Sequence, residues 1–258
     1  AVLSFCDIDG QIRCLRNDAA PDVFWYNKAF FDENGYTLPT TWEEYGDLAV
    51  EIAAAHPDKI SGFLGDAYAV NRYLSESEVH INLDDPNCVR ANELLSQMYD
   101  GGALTTQGIF DGDAAAAGVN LVMSPGAVWW GNYLFRDTWK IPAGQMSASA
   151  PLTWEGESSP TAGNEGGGLW GVSSHITGKQ LENALTFFAD VPAVQQAFKD
   201  AAGAVAPYSY MLYDTGAAWT ETVSPTLIAN GSMSDALSTF GEELVNRANS
   251  VGYTVTAE

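Results

Sequence analysis

Apolar and polar positions along this chain follow two periods, one near two in short stretches and one near 3.6 in longer ones. Residues 4–15 alternate about a turn at Asp9-Gly10, with Ile8, Ile12 and Cys14 on one buried face, which predicts a β-hairpin. A two-residue turn there pairs positions whose numbers sum to 19, so Cys6 and Cys14 do not stand directly opposite each other. Residues 24–26 read as a buried strand, and residues 28–33 as a short helix that Gly35 ends. Thr41 and Glu44 have the spacing of a capping box, in which each side chain satisfies a backbone amide of the first helical turn. The helix they open sets Tyr45, Leu48, Ala49, Ile52 and Ala53 on one face and stops before Pro57.

Further along, residues 62–64 read as a short strand and residues 68–75 as a short helix. Asp85 caps a helix opened by Pro86, with Cys88, Ala91, Leu95 and Met98 facing inward as far as Gly101-Gly102. Residues 119–123 are apolar between Gly118 and Pro125, the pattern of a strand covered on both faces, and a Pro125-Gly126 turn leads from them into Trp129-Trp130. Residues 151–168 are rich in Pro, Ser, Thr and Gly and mark the best boundary in the chain, before a strand at 169–172. Helices are expected at 179–189, 193–201, 217–229 and 233–250, with Asn230-Gly231-Ser232 as the turn between the last two.

Composition narrows the function. The chain has 258 residues, 46% of them hydrophobic, which is enough for one large domain or two modest ones with real cores. A formal net charge of −22 repels phosphate backbones and anionic lipid, so nucleic acid is excluded as a partner. No stretch approaches the roughly 18 consecutive apolar residues of a membrane span, and Phe5 is too bulky to precede Cys6 in a lipoprotein cleavage box. Cys6, Cys14 and Cys88 form neither a disulfide framework nor a zinc pattern, and His56, His80 and His175 are scattered, so no metal or other cofactor is expected.

The block from Phe24 to Tyr45, FWYNKAFFDENGYTLPTTWEEY, carries the strongest signal. It resembles the YNKDLF…PKTWEE signature of family 1 extracellular solute-binding proteins of ABC sugar importers, the superfamily that contains maltose-binding protein. The strand VNLVM before a tryptophan and the stretch GGGLWGVSSHITGKQLENALTFFADV resemble later blocks of that family in the same order. The resemblance implies a helix-rich α/β chain of the type II periplasmic-binding-protein fold, mainly the C-terminal lobe plus part of the N-terminal lobe. It divides the chain into a hairpin and first crossing at 1–21, the second lobe at 22–165, a returning first-lobe segment at 166–212, and C-terminal helices at 213–258 that pack on the second lobe. Family members begin with a segment that builds most of the first lobe's sheet, and nothing here corresponds to it.

Sugars present hydroxyl edges and apolar ring faces, so their sites pair aromatic platforms with convergent polar groups in a cleft. The family likeness places ligand contacts at Trp129 and Trp130, at Trp219, and at Asp66 with Tyr68. It also places them at Asn17 and Asp18 on the first crossing, and at Glu165 and Gly167 on the second. The competing roles are core packing for the tryptophans and Tyr68, a helix cap for Asp66, and a turn for Asp18. The implied partners are a sugar and the transmembrane subunits of an ABC permease. The membrane would be reached only through that permease or a lipid anchor, and the implied location is extracellular, on the cell surface or periplasmic. Two alternatives remain: a glycoside-active enzyme, which needs two opposed carboxylates, and a fragment with no affinity of its own.

Overall fold

The computed structural model describes residues 7–8, 11–12, 15–16, 20–66, 71–75, 78–160, 163, 165–170, 173, 175–189 and 215–257. The first strands, β1 (Asp7–Ile8) and β2 (Gln11–Ile12), pair antiparallel with Ile8 opposite Gln11, the register a two-residue turn imposes. Cys6 and Cys14 lie outside the described residues. Strand β3 (Leu15–Arg16) pairs not with its sequence neighbour but antiparallel with Leu169–Trp170, so the beginning of the chain is tied to the stretch that follows the glycine run.

Strand β4 (Asp22–Asn27) runs between two antiparallel partners, Met123–Ala127 on one side and Met146–Ser149 on the other. Its faces serve two cores. Phe24 meets Tyr45 edge to face at 5.2 Å in a cluster with Ile52, Met98 and Met123, whereas Trp25 meets Phe135 at 5.2 Å and donates from Nε1 to the carbonyl of Ala127. Helix α1 (Lys28–Asn34) follows at once, capped by the Asn27 side chain and closed by Gly35 at φ 71°, a left-handed conformation that glycine adopts without strain. Helix α2 (Trp42–Ala55) opens with the expected capping box and buries Tyr45, Ala49, Ile52 and Ala53. The Tyr45 hydroxyl donates to the carbonyl of Ser61, and burial pushes that phenol upward in pKa.

The short strand expected at 62–64 is not a ladder. Ile60 and Phe63 instead make isolated parallel bridges to Leu121 and Thr105, and Leu64–Asp66 tightens into a 3₁₀ turn. The helix expected at 68–75 is corrected over its described part: β5 (Asn71–Ser75) is a strand, held antiparallel to β6 (Glu78–Asn82), and residues 68–70 lie outside the described residues. Helix α3 (Pro86–Asp100) has the expected Asp85 cap and buries Cys88 and Met98, followed by the short α4 (Ala114–Gly118).

The strand expected at 119–123 begins later, as β7 (Met123–Ala127), and runs straight through Pro125-Gly126 where a turn was expected. Val119 is exposed and only Leu121 to Met123 are buried. Proline is tolerated because β7 is an edge strand, paired on one side only among the described residues. Gly126 is required by packing, since a Cβ there would come within 2.6 Å of the Trp130 ring. A π-helical stretch, Gly131–Thr138, then leads to β8 (Met146–Ser149).

After β9 (Leu169–Trp170) comes α5 (Gly178–Ala189), and the helix expected at 193–201 falls outside the described residues. Helices α6 (Thr215–Ile228) and α7 (Met233–Ser250) pack together around Trp219, Val223, Phe240 and Leu244. The closing strand, β10 (Thr254–Ala257), adds parallel to β6 and completes a three-stranded sheet.

Candidate functional site

Three stretches meet at the end of β4 where Asp22 lies. Asp22 donates its amide to the carbonyl of Gly163, Glu165 donates its own to Ala20, and Val128 donates to Pro21, at 3.0, 3.0 and 3.1 Å. The chain thus crosses twice at one place, beside the start of the π-helical stretch. Just past Glu165, Gly166 and Gly167 hold φ values of 93° and 99°, a backbone path that side-chain-bearing residues rarely adopt.

Two tryptophans leave β7 toward this crossing, and Glu165 holds both. Trp129 Nε1 donates to the Glu165 carbonyl at 2.8 Å, and Trp130 Nε1 donates to the Glu165 carboxylate at 3.0 Å. Their surroundings differ. Trp130 is buried among Ala20, Ala127, Leu134 and Phe135, so it is core. Trp129 is half-buried and lies nearly parallel to Phe110, with centroids 6.0 Å apart and planes 9° apart. Tyr133, one π-helical turn on, stands across Trp129 at 5.9 Å and 67°. Phe110 is 66% exposed and Tyr133 55%. Water-facing rings in contact are a costly surface unless something covers them in use, and a group of three with polar atoms alongside suits a ligand with apolar faces.

The loop carrying Phe110 is built to hold it. Ile109 is buried beside it as an anchor, and Asp111 accepts the Gly108 amide at 2.7 Å, closing a tight turn that turns the next side chain outward. On the π-helical side, Gly131 lets the Trp25 ring approach, since a Cβ there would come within 2.8 Å of it.

Asp22 adds an unusual carboxyl. Its Oδ1 is buried without a hydrogen-bond partner, and burial raises its pKa from 3.8 to about 6. Among the described residues, no group of three or more His, Cys, Asp or Glu converges to hold a metal ion.

A second depression, of about 560 Å³, opens at the opposite end of β4 and is lined by Asn27, Phe30, Lys59, Asn120 and Gln145. Its one lining ring, Phe30, is half-buried and already stacks on Tyr36 at 5.8 Å, whereas the Trp129 corner presents the exposed rings of Phe110 and Tyr133, so that corner is the better candidate.

No family model matches this chain, and no curated protein does. Solved structures do. The galacto-N-biose/lacto-N-biose I-binding protein of the ABC transporter from Bifidobacterium longum, in complex with lacto-N-biose, superposes with a TM-score of 0.75 at 19% identity, over 99% of this chain and 75% of that one. An ABC transporter associated binding protein from B. animalis subsp. lactis, in complex with β-1,6-galactobiose, gives 0.74 at 16% identity, over 99% of this chain and 78% of that one. The cyclic α-maltosyl-1,6-maltose binding protein from Arthrobacter globiformis gives 0.65 at 14%, over 96% and 75%. This chain has the fold of ABC-transporter sugar-binding proteins.

Within that type II sugar-binding-protein fold, the residues expected at the site divide. Trp129, Trp130 and Glu165 come together at the crossing, and Gly167 follows two residues on at positive φ. Trp219 does not: it is fully buried against Phe240 at 5.1 Å and donates to the carbonyl of Leu64 at 2.7 Å, so it has no face left for a ligand. Trp130 is likewise too buried to stack, at 3% exposure. Asp66 ends the 3₁₀ turn, while Asn17, Asp18 and Tyr68 lie outside the described residues. Sequence reasoning missed Phe110, Tyr133 and Asp22. The signal for Phe110 is a lone aromatic among turn formers, Gly108-Ile109-Phe110-Asp111-Gly112, where a ring has no helix or strand face to hide on.

Proposed function

We propose that this chain is the substrate-binding component of an ABC importer and captures a carbohydrate in an interlobe cleft for delivery to the permease's transmembrane subunits. One observation carries the reading: Phe110, Trp129 and Tyr133 form an exposed aromatic corner where the chain crosses between β4, the π-helical stretch and the glycine run. A pyranose ring stacks on such a surface through its C–H face and directs its hydroxyls to carboxylates and amides around the rim. Asp22, Gly166 and Gly167 supply those groups here, with Glu165 holding the two tryptophans in place. The fold adds weight, because its neighbours were solved with lacto-N-biose and β-1,6-galactobiose.

In this reading, residues 22–165 with the C-terminal helices form the second lobe, and β3 with β9 belongs to the first. Closure about the crossing occurs because the bound sugar has more contacts in the closed state, and only that differential affinity shifts the population. No bond of the sugar is broken. The protein works outside the cytoplasm, at the cell surface or in a periplasm, and meets the membrane through the permease or through a lipid anchor on the full-length protein.

Titration calorimetry with a panel of lacto-N-biose, β-1,6-galactobiose, maltose and raffinose tests this. Heat of binding with at least one saccharide, lost in Trp129→Ala, supports the reading, and silence across the whole panel defeats it. Release of nitrophenol from chromogenic glycosides would point instead to an enzyme.

A further inference from the structure

We propose that Glu165 is a positioning residue that locks the aromatic corner to the interlobe crossing, so that both move as one body. The assignment rests on the carbohydrate reading of the Trp129 corner and deepens it. Glu165 contacts the two tryptophans through different groups: its main-chain carbonyl accepts from Trp129 Nε1 at 2.8 Å, and its carboxylate accepts from Trp130 Nε1 at 3.0 Å. Its amide is itself fixed to Ala20 at 3.0 Å. One residue therefore joins both passages of the crossing to both indoles.

The two bonds act on different parts of the site. Trp130 is buried against Gly126 and Phe135, so its ring sets the spacing between β7 and the π-helical stretch from which Tyr133 projects. Trp129 is the half-buried ring that meets both Phe110 and Tyr133. Immediately after Glu165 the backbone passes through two glycines at positive φ, which places the flexible joint on the far side of the clamp. Bending there swings the β9 side of the chain and leaves the rings in place. A sugar stacked on Trp129 is then held by a surface whose geometry does not change as the lobes close. The carboxylate accepts the Trp130 indole proton in a charge-assisted bond, which is stronger than a neutral one. Glu165 thus orients a ligand contact instead of being one.

The test uses the whole chain as wild type, Glu165→Ala, Glu165→Gln, Trp130→Phe and the Glu165→Ala/Trp130→Phe double variant. Indole proton–nitrogen NMR of ligand-free protein, with Trp129→Phe and Trp130→Phe assigning the signals, reads the clamp without any sugar. Glu165→Ala is expected to shift the Trp130 indole signal and speed its solvent exchange roughly tenfold or more, and to shift Trp129 through the joined backbone. Glu165→Gln, whose amide oxygen still accepts, restores both signals. With β-1,6-galactobiose as probe, affinity falls about tenfold in Glu165→Ala and largely returns in Glu165→Gln. The double variant is no weaker than the weaker single one. Unmoved indole signals in Glu165→Ala, or a glutamine variant as displaced as alanine, overturn the proposal, as do fully additive losses in the double variant. A wild type that binds none of the panel sugars defeats the carbohydrate reading, and the indole spectra then decide the clamp by themselves.

Discussion

Burial separates the tryptophans that a sequence presents as equals. Trp219 has no exposed surface and packs on Phe240, so Trp219→Ala should cost about 3–5 kcal/mol of stability through the cavity it leaves. Phe110, by contrast, is mostly exposed, so Phe110→Ala should leave the melting temperature nearly unchanged while weakening saccharide binding about threefold to tenfold. Thermal denaturation and calorimetry on the two variants separate these outcomes, and a Phe110→Ala protein with wild-type affinity would remove that ring from the site. Residue identity made Trp129 visible as a candidate, because two tryptophans follow an apolar run. It could not distinguish Trp129 from Trp130, since their exposures are set by Gly126, Phe110 and Glu165, which are distant in sequence or silent until placed. Asp22 was equally unreadable, because its environment is made by chain crossings. Burial pushes its pKa up to about 6, so the folded chain holds a proton that the unfolded chain releases from near 3.8 upward. Stability from this group is therefore full below that window and falls as pH rises through it. Asp22→Asn should raise the melting temperature at about pH 7.5, by the equivalent of roughly 1–2 kcal/mol, and change it little at about pH 3.5.

Elements whose ends are written in local chemistry were the legible ones. The Thr41–Glu44 box, the Asp85-Pro86 start, the Gly35 stop and the Met233–Ser250 helix all lie where the sequence puts them, because caps act within one turn and need no distant partner. Thr41→Ala should cost about 1 kcal/mol, since the Glu44 amide loses its acceptor at 3.2 Å. A urea titration of the variant against wild type measures this, with the midpoint falling at an unchanged slope. Strands were harder. Asn71–Ser75 contains nothing strongly β-forming beyond Tyr73 and Leu74, and it is a strand because Glu78–Asn82 pairs with it and Thr254–Ala257 pairs with that in turn. The extension of β7 through Pro125 depends on its being an edge strand, which is a property of the sheet.

For the whole molecule, the resemblance of the ordered blocks to those of the sugar-binding-protein family was enough to anticipate the type II fold, which the solved structures share. The candidate site was less legible, since segments around residues 20, 110, 130 and 165 converge there and nothing local announces that meeting. Net charge is the one global property with a direct consequence for the ligand. A formal −22 gives the molecule as a whole a negative potential. A neutral sugar does not feel that potential, and its stacking and hydroxyl bonds are short-ranged. A uronate or sugar phosphate must approach against it, and salt relieves the repulsion because the screening length shrinks from about 30 Å at 0.01 M to about 10 Å at 0.1 M. Affinity for a neutral saccharide should therefore change by less than about twofold between 10 mM and 500 mM salt, whereas any anionic analogue should bind more tightly as salt rises. Calorimetry at the two salt concentrations decides between them. An anionic sugar that binds best at low salt would mean that a local cation in the cleft outweighs the molecule's overall charge, and the ligand would then have to be sought among acidic saccharides.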